Sequence, residues 1–433
     1  MRHPIRWCFP AVLALVVATA LPATARHASR PHTDNMSATG HSPHRAQFLG
    51  VPSAQRHVNS DLAFWGNFAF NGNYDGFRVI DITDPTSPIE VSHPSCNGDQ
   101  GDIVVWDNIL VRSWNSPAPT GRRCDGEPVP TGFEGLHIWN ISNLSDPDLV
   151  GSVETECGSH TATLVPDTAN GRVLIYNNGS SGSCTWFEIV EVPLGAPQDA
   201  AIIRTERLRQ GARRCHDIGV ILGNENLAAC ASDADANVFS IGAPRGGSLE
   251  DPEFLYSIDE KGVGVGGNWH SAAFTWDGEV VILGWEPGGG SAPECEATDP
   301  AVKKSAFFYD ADTGEKLGQW TLPRPQTSQE NCTIHNYNVV PKAGEYILVS
   351  GNYQAGTWVT KFTDPANPVT LGWSDPPPIN DLAGAWSSYW YDGQIYESSI
   401  TEGLNVFTFT GPETTGAQTL GHLNPQTQET TIG

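Results

Sequence analysis

One unit recurs through the chain. Its clearest copy runs from Asp61 to about Val91 and reads DLAFWGN, FAFNGN, GFRVIDITDP and SPIEVS. Gly/Asn and Asp-Pro turns separate these apolar-rich runs, so the unit predicts four short strands. The Asp-Pro ends the third strand because proline has no N–H to give to a ladder. A second copy begins at Asp102-Ile103-Val104-Val105-Trp106, with its third strand from Leu136 to Ile141 before Asp146-Pro147. Further copies begin at His160, His216, His270 and His335; the last has the third strand TWVTKFTDPANP, from Thr357 to Pro368. A seventh begins near Trp386, with YDGQIYESS and GLNVFTFTG.

A four-stranded meander of this size cannot bury both faces alone. Seven copies packed around an axis do, which predicts an all-β fold, a seven-bladed β-propeller of four-stranded antiparallel blades over residues 46–411. Two stacked β-sandwiches are the alternative, but sandwiches do not demand a recurring unit. The composition agrees: 45 glycines, 32 prolines and only 17% charged residues suit short strands and turns better than long exposed helices. The last copy lacks an outer strand. Either Ala46 to Val51 or Ala417 to His422, in a C-terminal tail of residues 412–433, would supply it.

Ahead of the repeats, Arg2 and Arg6, an apolar stretch from Ala11 to Leu21 and Ala23-Thr24-Ala25 form a secretory signal pattern over residues 1–25. The apolar run is too short to span a bilayer, and no second one is long enough, so a secreted, extracellular or periplasmic location without a membrane span is expected. Residues 26–45 are polar and contain His27, His32, His41 and His44. They read as a disordered leader in preference to a metal-capture segment. The formal net charge of −25 argues against a nucleic-acid partner, which needs clustered Lys and Arg.

At GFRVIDITDPTSPIEV and TWVTKFTDPANPVTLGW the chain resembles the LVIVD-repeat proteins, with LHIWNISNLSDPDLV a looser match. The resemblance covers nearly all of the chain after the leader, weakly in copies four and five. It implies a β-propeller, commonly exported or surface-attached in bacteria, and no single activity. Function must therefore come from particular residues.

His160, His216, His270 and His335 each open an inner strand, in SHTATLV, CHDIGVI, WHSAAFT and IHNYNVV. The innermost strands of a propeller line its channel, so residues at the same point of each converge at one height. Four neutral imidazoles there form a ligand set for zinc, iron, copper or nickel; the alternative is four histidines bonded to water or backbone in a wet channel. Consecutive repeats supply them, so they span under half the circle. The other side falls to Ser60 or Asp61, Gly101 or Asp102, and Trp386 or Ser387, with Asp217 beside His216. An open side is what catalytic metal sites keep.

Of nine cysteines, Cys8 lies in the signal segment and eight remain. The expected pairs are Cys96–Cys124, Cys157–Cys184, Cys215–Cys230 and Cys295–Cys332, each joining the start of an inner strand to a strand two–three loop on the same face. Cys157, Cys215 and Cys332 precede histidines closely, so thiolate ligation is the alternative. The long segments Ser116 to Gly132 and Glu286 to Lys303 reach the same face, as do Arg213 and Arg214, which suit an anionic substrate group or the acidic protein surface. Asp233-x-Asp235-x-Asn237 lacks the glycine and distal glutamate of an EF-hand. No HExxH, GxSxG or Walker pattern occurs. Three functions stay open: a metal-dependent oxidoreductase or hydrolase acting on a small molecule, a monomeric extracellular module that binds protein or glycan without turnover, and a metal-stabilised scaffold that catalyses nothing.

Overall fold

The Asp-Pro signature has a visible physical basis in the computed structural model, which describes residues 30–44, 58–259, 268–286, 290, 292, 296–378 and 382–432. After the third strand Gly76–Asp81, Asp84 turns the chain: its Oδ1 accepts the Thr86 N–H at 3.0 Å, and Ser87 N–H donates to the Asp84 carbonyl. Asp364 acts alike after Thr357–Lys361, accepting from Ala366 N–H at 3.2 Å. In the second copy Asn143 makes this turn, with Oδ1 accepting the Ser145 N–H at 3.3 Å. The expectation that Asp146-Pro147 makes it is corrected, because Asp146 already closes that turn by donating its N–H to the Asn143 carbonyl.

A deeper constant of the repeat is a backbone bond. The residue that follows strand three donates its N–H to a carbonyl in the strand one–two hairpin: Ile82 to Asn67, Ile141 to Asn108 and Phe362 to Tyr346. Leu194, Ile241 and Ala311 make the same bond to Gly171, Asn226 and Glu279, although the copies of the last two carry the sequence pattern weakly. Glycine at the entry to strand three is likewise required. Gly76 and Gly135 have φ of +156° and +150°, and a Cβ on either would lie 2.0 Å from the carbonyl oxygen of Pro94 or Val153.

The fold is an all-β propeller. Five blades stand as separate sheets of four or five strands, with innermost strands Asn59–Trp65, Ile103–Trp106, Thr161–Asp167, Arg213–Ile221 and Asn268–Phe274. A further sheet has eight strands. It contains two meanders, which begin at Asn336–Val339 and Ala385–Tyr391 and are joined by a parallel pairing of Asn336 with Ser387 and Tyr337 with Ser388. Seven separate four-stranded sheets are therefore not what is observed; two inner strands that approach at the channel hydrogen-bond to each other. Each innermost strand contacts the next, and Ala385–Tyr391 contacts Asn59–Trp65, which closes the ring. Apolar clusters fill the wedges between sheets, as where Val104, Val111 and Ile138 meet Ala162, Leu164 and Ile175. Burying each such side chain contributes roughly 1.5–3 kcal/mol.

The outermost pair of each meander carries a register shift, the mark of a β-bulge that increases twist. The last of these pairs corrects the reading of residues 26–45 as a disordered leader. Met36–Pro43 is a strand that pairs antiparallel with Gly403–Phe409 and closes the final meander. Backbone pairing, Met36 buried in the core and a His41 Nδ1 contact to Asn405 Oδ1 at 2.8 Å offset its polar composition. Ala417 to His422 lies elsewhere in the fold, and Ala46 to Val51 lies outside the described residues; residues 1–29, with the signal pattern, also lie outside them.

The C-terminal tail does something else. His422–Leu423 pairs with Trp65 and Phe64, and Thr427–Gln428 pairs with Val220 and Ile221. Asn424 accepts the Val105 N–H at 2.8 Å and donates to the Val105 carbonyl at 2.9 Å. Thr427 Oγ1 donates to Leu164, Ile432 N–H to Trp276, Gln418 N–H to Pro341 and Leu420 N–H to Asp392. The tail thus follows the far ends of the inner strands, opposite the ends where the histidines sit, and covers the floor of the channel. Among the described residues, no helix is long and apolar enough to cross a membrane.

Candidate metal centre

Bulges aim the site. The inner strands shift register across Ser60-Asp61, His216, His270-Ser271 and Trp386, so side chains there leave strict alternation and consecutive residues can face the channel. The four histidine rings follow one another, with centroids 4.2 Å apart for His160–His216, 4.0 Å for His216–His270 and 4.3 Å for His270–His335. They line a cavity of about 270 Å³ at the channel mouth, together with Asp102, Asp217, Glu286, Tyr353, Trp386 and Arg214.

Two of the imidazoles have fixed tautomers. His335 donates its Nδ1–H to the Trp386 carbonyl, and His160 Nδ1 bonds Asn115 Oδ1 at 2.8 Å. Both then carry their lone pair on Nε2, the arrangement found where a carbonyl or amide orients a ligating imidazole. The Nδ1 atoms of His216 and His270 are buried without a hydrogen-bond partner among the described residues. Burying a ring nitrogen unpaired is costly.

The site is built to keep these rings neutral. Burial, reinforced by the Arg214 charge at His270 and by His270 at His335, pushes both down to about 3. Burial and the neighbouring His270 hold His216 well below its ordinary value. Burial, then the Arg214 charge and the neighbouring His270 and His335, pushes His160 down to about 3 as well. Neutral imidazole is the ligating form.

Glu286 and Tyr353 are additions that sequence reasoning missed. Glu286 ends a second strand, directly opposite Asn268 in register. Its Oε1 accepts the Tyr353 hydroxyl at 2.7 Å, and its Oε2 lies 3.7 Å from His270 Nε2. One ligand atom each from His216, His270 and Glu286 falls within 4.8 Å of the others. The position before a long loop was the available signal, but the glutamate stood there only as the start of the insertion.

Below the histidines lie three buried carboxyls. Asp217 and Asp102 line the cavity, whereas Asp61 and Ser387 sit outside its lining. Asp61 accepts from Tyr389 Oη at 2.6 Å and from Asn336 Nδ2 and Gln426 Nε2 at 3.1 Å each. Asp102 Oδ2 accepts the Ala162 N–H at 2.7 Å. Burial and the Asp61 charge raise Asp217 to about 8 and Asp102 well above its usual range. Arg214 reaches the cavity while paired with Asp233 at 2.9 Å; Arg213 is exposed and does not line it.

Disulfides Cys96–Cys124, Cys157–Cys184 and Cys215–Cys230 are present. Cys332 is disulfide-bonded as well, and Cys295 lies outside the described residues. Bonded sulfurs are not thiolates, so Cys157, Cys215 and Cys332 brace the histidine-bearing strands instead of ligating. Such bonds fit an oxidising compartment.

Residues 59–94 and 132–155, the first sheet and the outer half of the second, match the LVIVD repeat model. These two segments are similar to LVIVD repeats. The matched segments include the Asp84 and Asn143 turns and the glycine entries at Gly76 and Gly135. No curated protein matches the sequence. The crystal structure of BamB from Moraxella catarrhalis is similar over 80% of each chain at 12% identity, with a TM-score of 0.41, a likeness too distant to bear on residues or partners.

Proposed function

We propose that this is an exported propeller whose channel mouth holds a first-row transition metal ion on His160, His216, His270 and His335. We read the eight-stranded sheet as two blades, which makes seven, with residues 1–25 as the signal for export. One observation carries the metal reading: four consecutive inner strands bring four imidazoles, each against the next, to one cavity, and the surroundings keep them neutral. All-nitrogen donation suits zinc, copper or iron. Glu286, held by Tyr353, is placed to take a proton beside the metal or to complete its ligand set.

The chemistry follows from the walls. The ligands come from one arc, so the side toward Asp102 and Trp386 is left for a small molecule. A redox-active ion there supports an oxidoreductase, and zinc supports a hydrolase. Arg214 at the rim favours an anionic group on the substrate. Metal analysis of the purified protein and of the four single His→Ala variants tests the reading. Stoichiometric metal that falls in each variant supports it. Metal-free protein from metal-replete medium, with no uptake on reconstitution, overturns it and leaves the binding module for protein or glycan.

A further inference from the structure

A second cluster, sharing no residue with the four-histidine cavity, sits where the N-terminal strand meets the first sheet. His44 Nε2 lies 3.5 Å from Asp75 Oδ1, and His93 Nε2 lies 3.6 Å from Asp75 Oδ2. The two imidazoles stand edge to face with centroids 4.9 Å apart. One ligand atom from each residue falls within 4.8 Å of the other two. The side chains are largely buried, with exposures of 13%, 12% and 25% for His44, Asp75 and His93.

The separations discriminate between two chemistries. A charge-assisted N–H···O bond closes to about 2.7–2.9 Å. Two ligands on a tetrahedral ion, each at about 2.0–2.1 Å from it, stand roughly 3.3–3.4 Å apart. The observed distances lie nearer the second. His93 Nε2 is buried and has no hydrogen bond among the described residues.

We propose that His44, Asp75 and His93 form a second metal site for one divalent ion of the zinc class. The backbone holds all three segments in place. His44 N–H donates to the Glu402 carbonyl at 2.8 Å, Asn59 Nδ2 donates to the His44 carbonyl at 2.9 Å, and Cys96 N–H donates to the Asp75 carbonyl at 2.8 Å. The Cys96–Cys124 disulfide braces the segment that follows His93. His44 comes directly after Met36–Pro43, the strand that closes the final meander, whereas Asp75 and His93 belong to the first sheet. The ion therefore ties the two ends of the ring together. It binds the folded state alone, so it stabilises by mass action.

The test uses the full chain stripped with a chelator and titrated with Zn²⁺, read by bound-metal stoichiometry and thermal unfolding. The wild type is expected to hold one equivalent more than His93→Ala or Asp75→Asn, and to lose part of its Zn²⁺-dependent rise in Tm in both. Asp75→Asn keeps the shape of the side chain, so it guards against a variant that merely misfolds; circular dichroism checks this. His335→Ala, which acts on the other cavity, is expected to leave this equivalent in place. Unchanged stoichiometry in folded His93→Ala and Asp75→Asn overturns the second site, whatever the four-histidine cavity binds.

Discussion

His335 donates its Nδ1 proton to the carbonyl of Trp386, one residue from the point where Asn336 pairs with Ser387. The bond that joins two meanders is therefore adjacent to the bond that orients a candidate ligand. Asn338 repeats the device further along, accepting the Trp390 N–H at 2.8 Å and donating to the Trp390 carbonyl at 2.9 Å. The His335 ring is fixed by fold-defining contacts and not by a mobile loop.

At the other end of the arc, His160 depends on a side chain, and mutation reaches that bond. Asn115→Ala removes the acceptor for His160 Nδ1. Loss of such an orienting partner commonly weakens metal binding by roughly 10–100-fold. We expect that loss in a competition titration against a chromophoric chelator. Asn115→Asp, which keeps an acceptor, is expected to restore most of the affinity.

How far the sequence led depended on which contacts are local. The four histidines were legible because a repeat places equivalent residues at one height. Glu286 and Tyr353 were not, since their meeting joins residues from two different sheets. The strand Met36–Pro43 was missed because an outer strand needs little apolar surface, and MSATGHSP reads as linker. The tail was unreadable for a related reason: Asn424 pairs with Val105 through its side chain and leaves no strand pattern. The Asn143 turn was displaced because Asp146-Pro147 imitates the signature one turn later.

The entry glycines separate two kinds of strain. Gly135→Ala places a Cβ 2.0 Å from the Val153 carbonyl oxygen, whereas Gly132, also left-handed at φ +88°, has nothing within 4 Å. Gly132→Ala should therefore cost about 1 kcal/mol, from backbone conformation alone. Gly135→Ala should cost about 2–3 kcal/mol, because the adjoining strand must move. Urea unfolding midpoints of the two variants check the ordering.

The tail is expected to carry stability out of proportion to its size. Asn424 is buried and satisfies both backbone groups of Val105. Asn424→Ala leaves a buried N–H and a buried carbonyl unpaired, at about 1–3 kcal/mol each. We expect a loss of roughly 2–6 kcal/mol in equilibrium unfolding, with metal content at the opposite mouth retained. Equal loss of stability and metal would show that the floor and the mouth open together.

Asp217 makes the pH dependence of stability testable with a defined sign. Burial, then the Asp61 charge, raises its pKa to about 8, whereas in the unfolded chain it ionises near 3.9. Between those values the folded state keeps a proton that the unfolded state has lost, so its contribution to stability falls as pH rises through that window. His270 and His335 act oppositely: held down to about 3 against roughly 6.5 unfolded, they cost stability as pH falls below 6.5. To first order wild type and Asp217→Asn share that second effect, so it drops out of their difference. Asparagine cannot ionise, so Asp217→Asn should gain on the wild type steadily from about pH 4 to 8 and then level off. Urea unfolding of both proteins across that range, with metal chelated, measures the gap; a gap that stays constant would mean that Asp217 is already ionised in the folded channel.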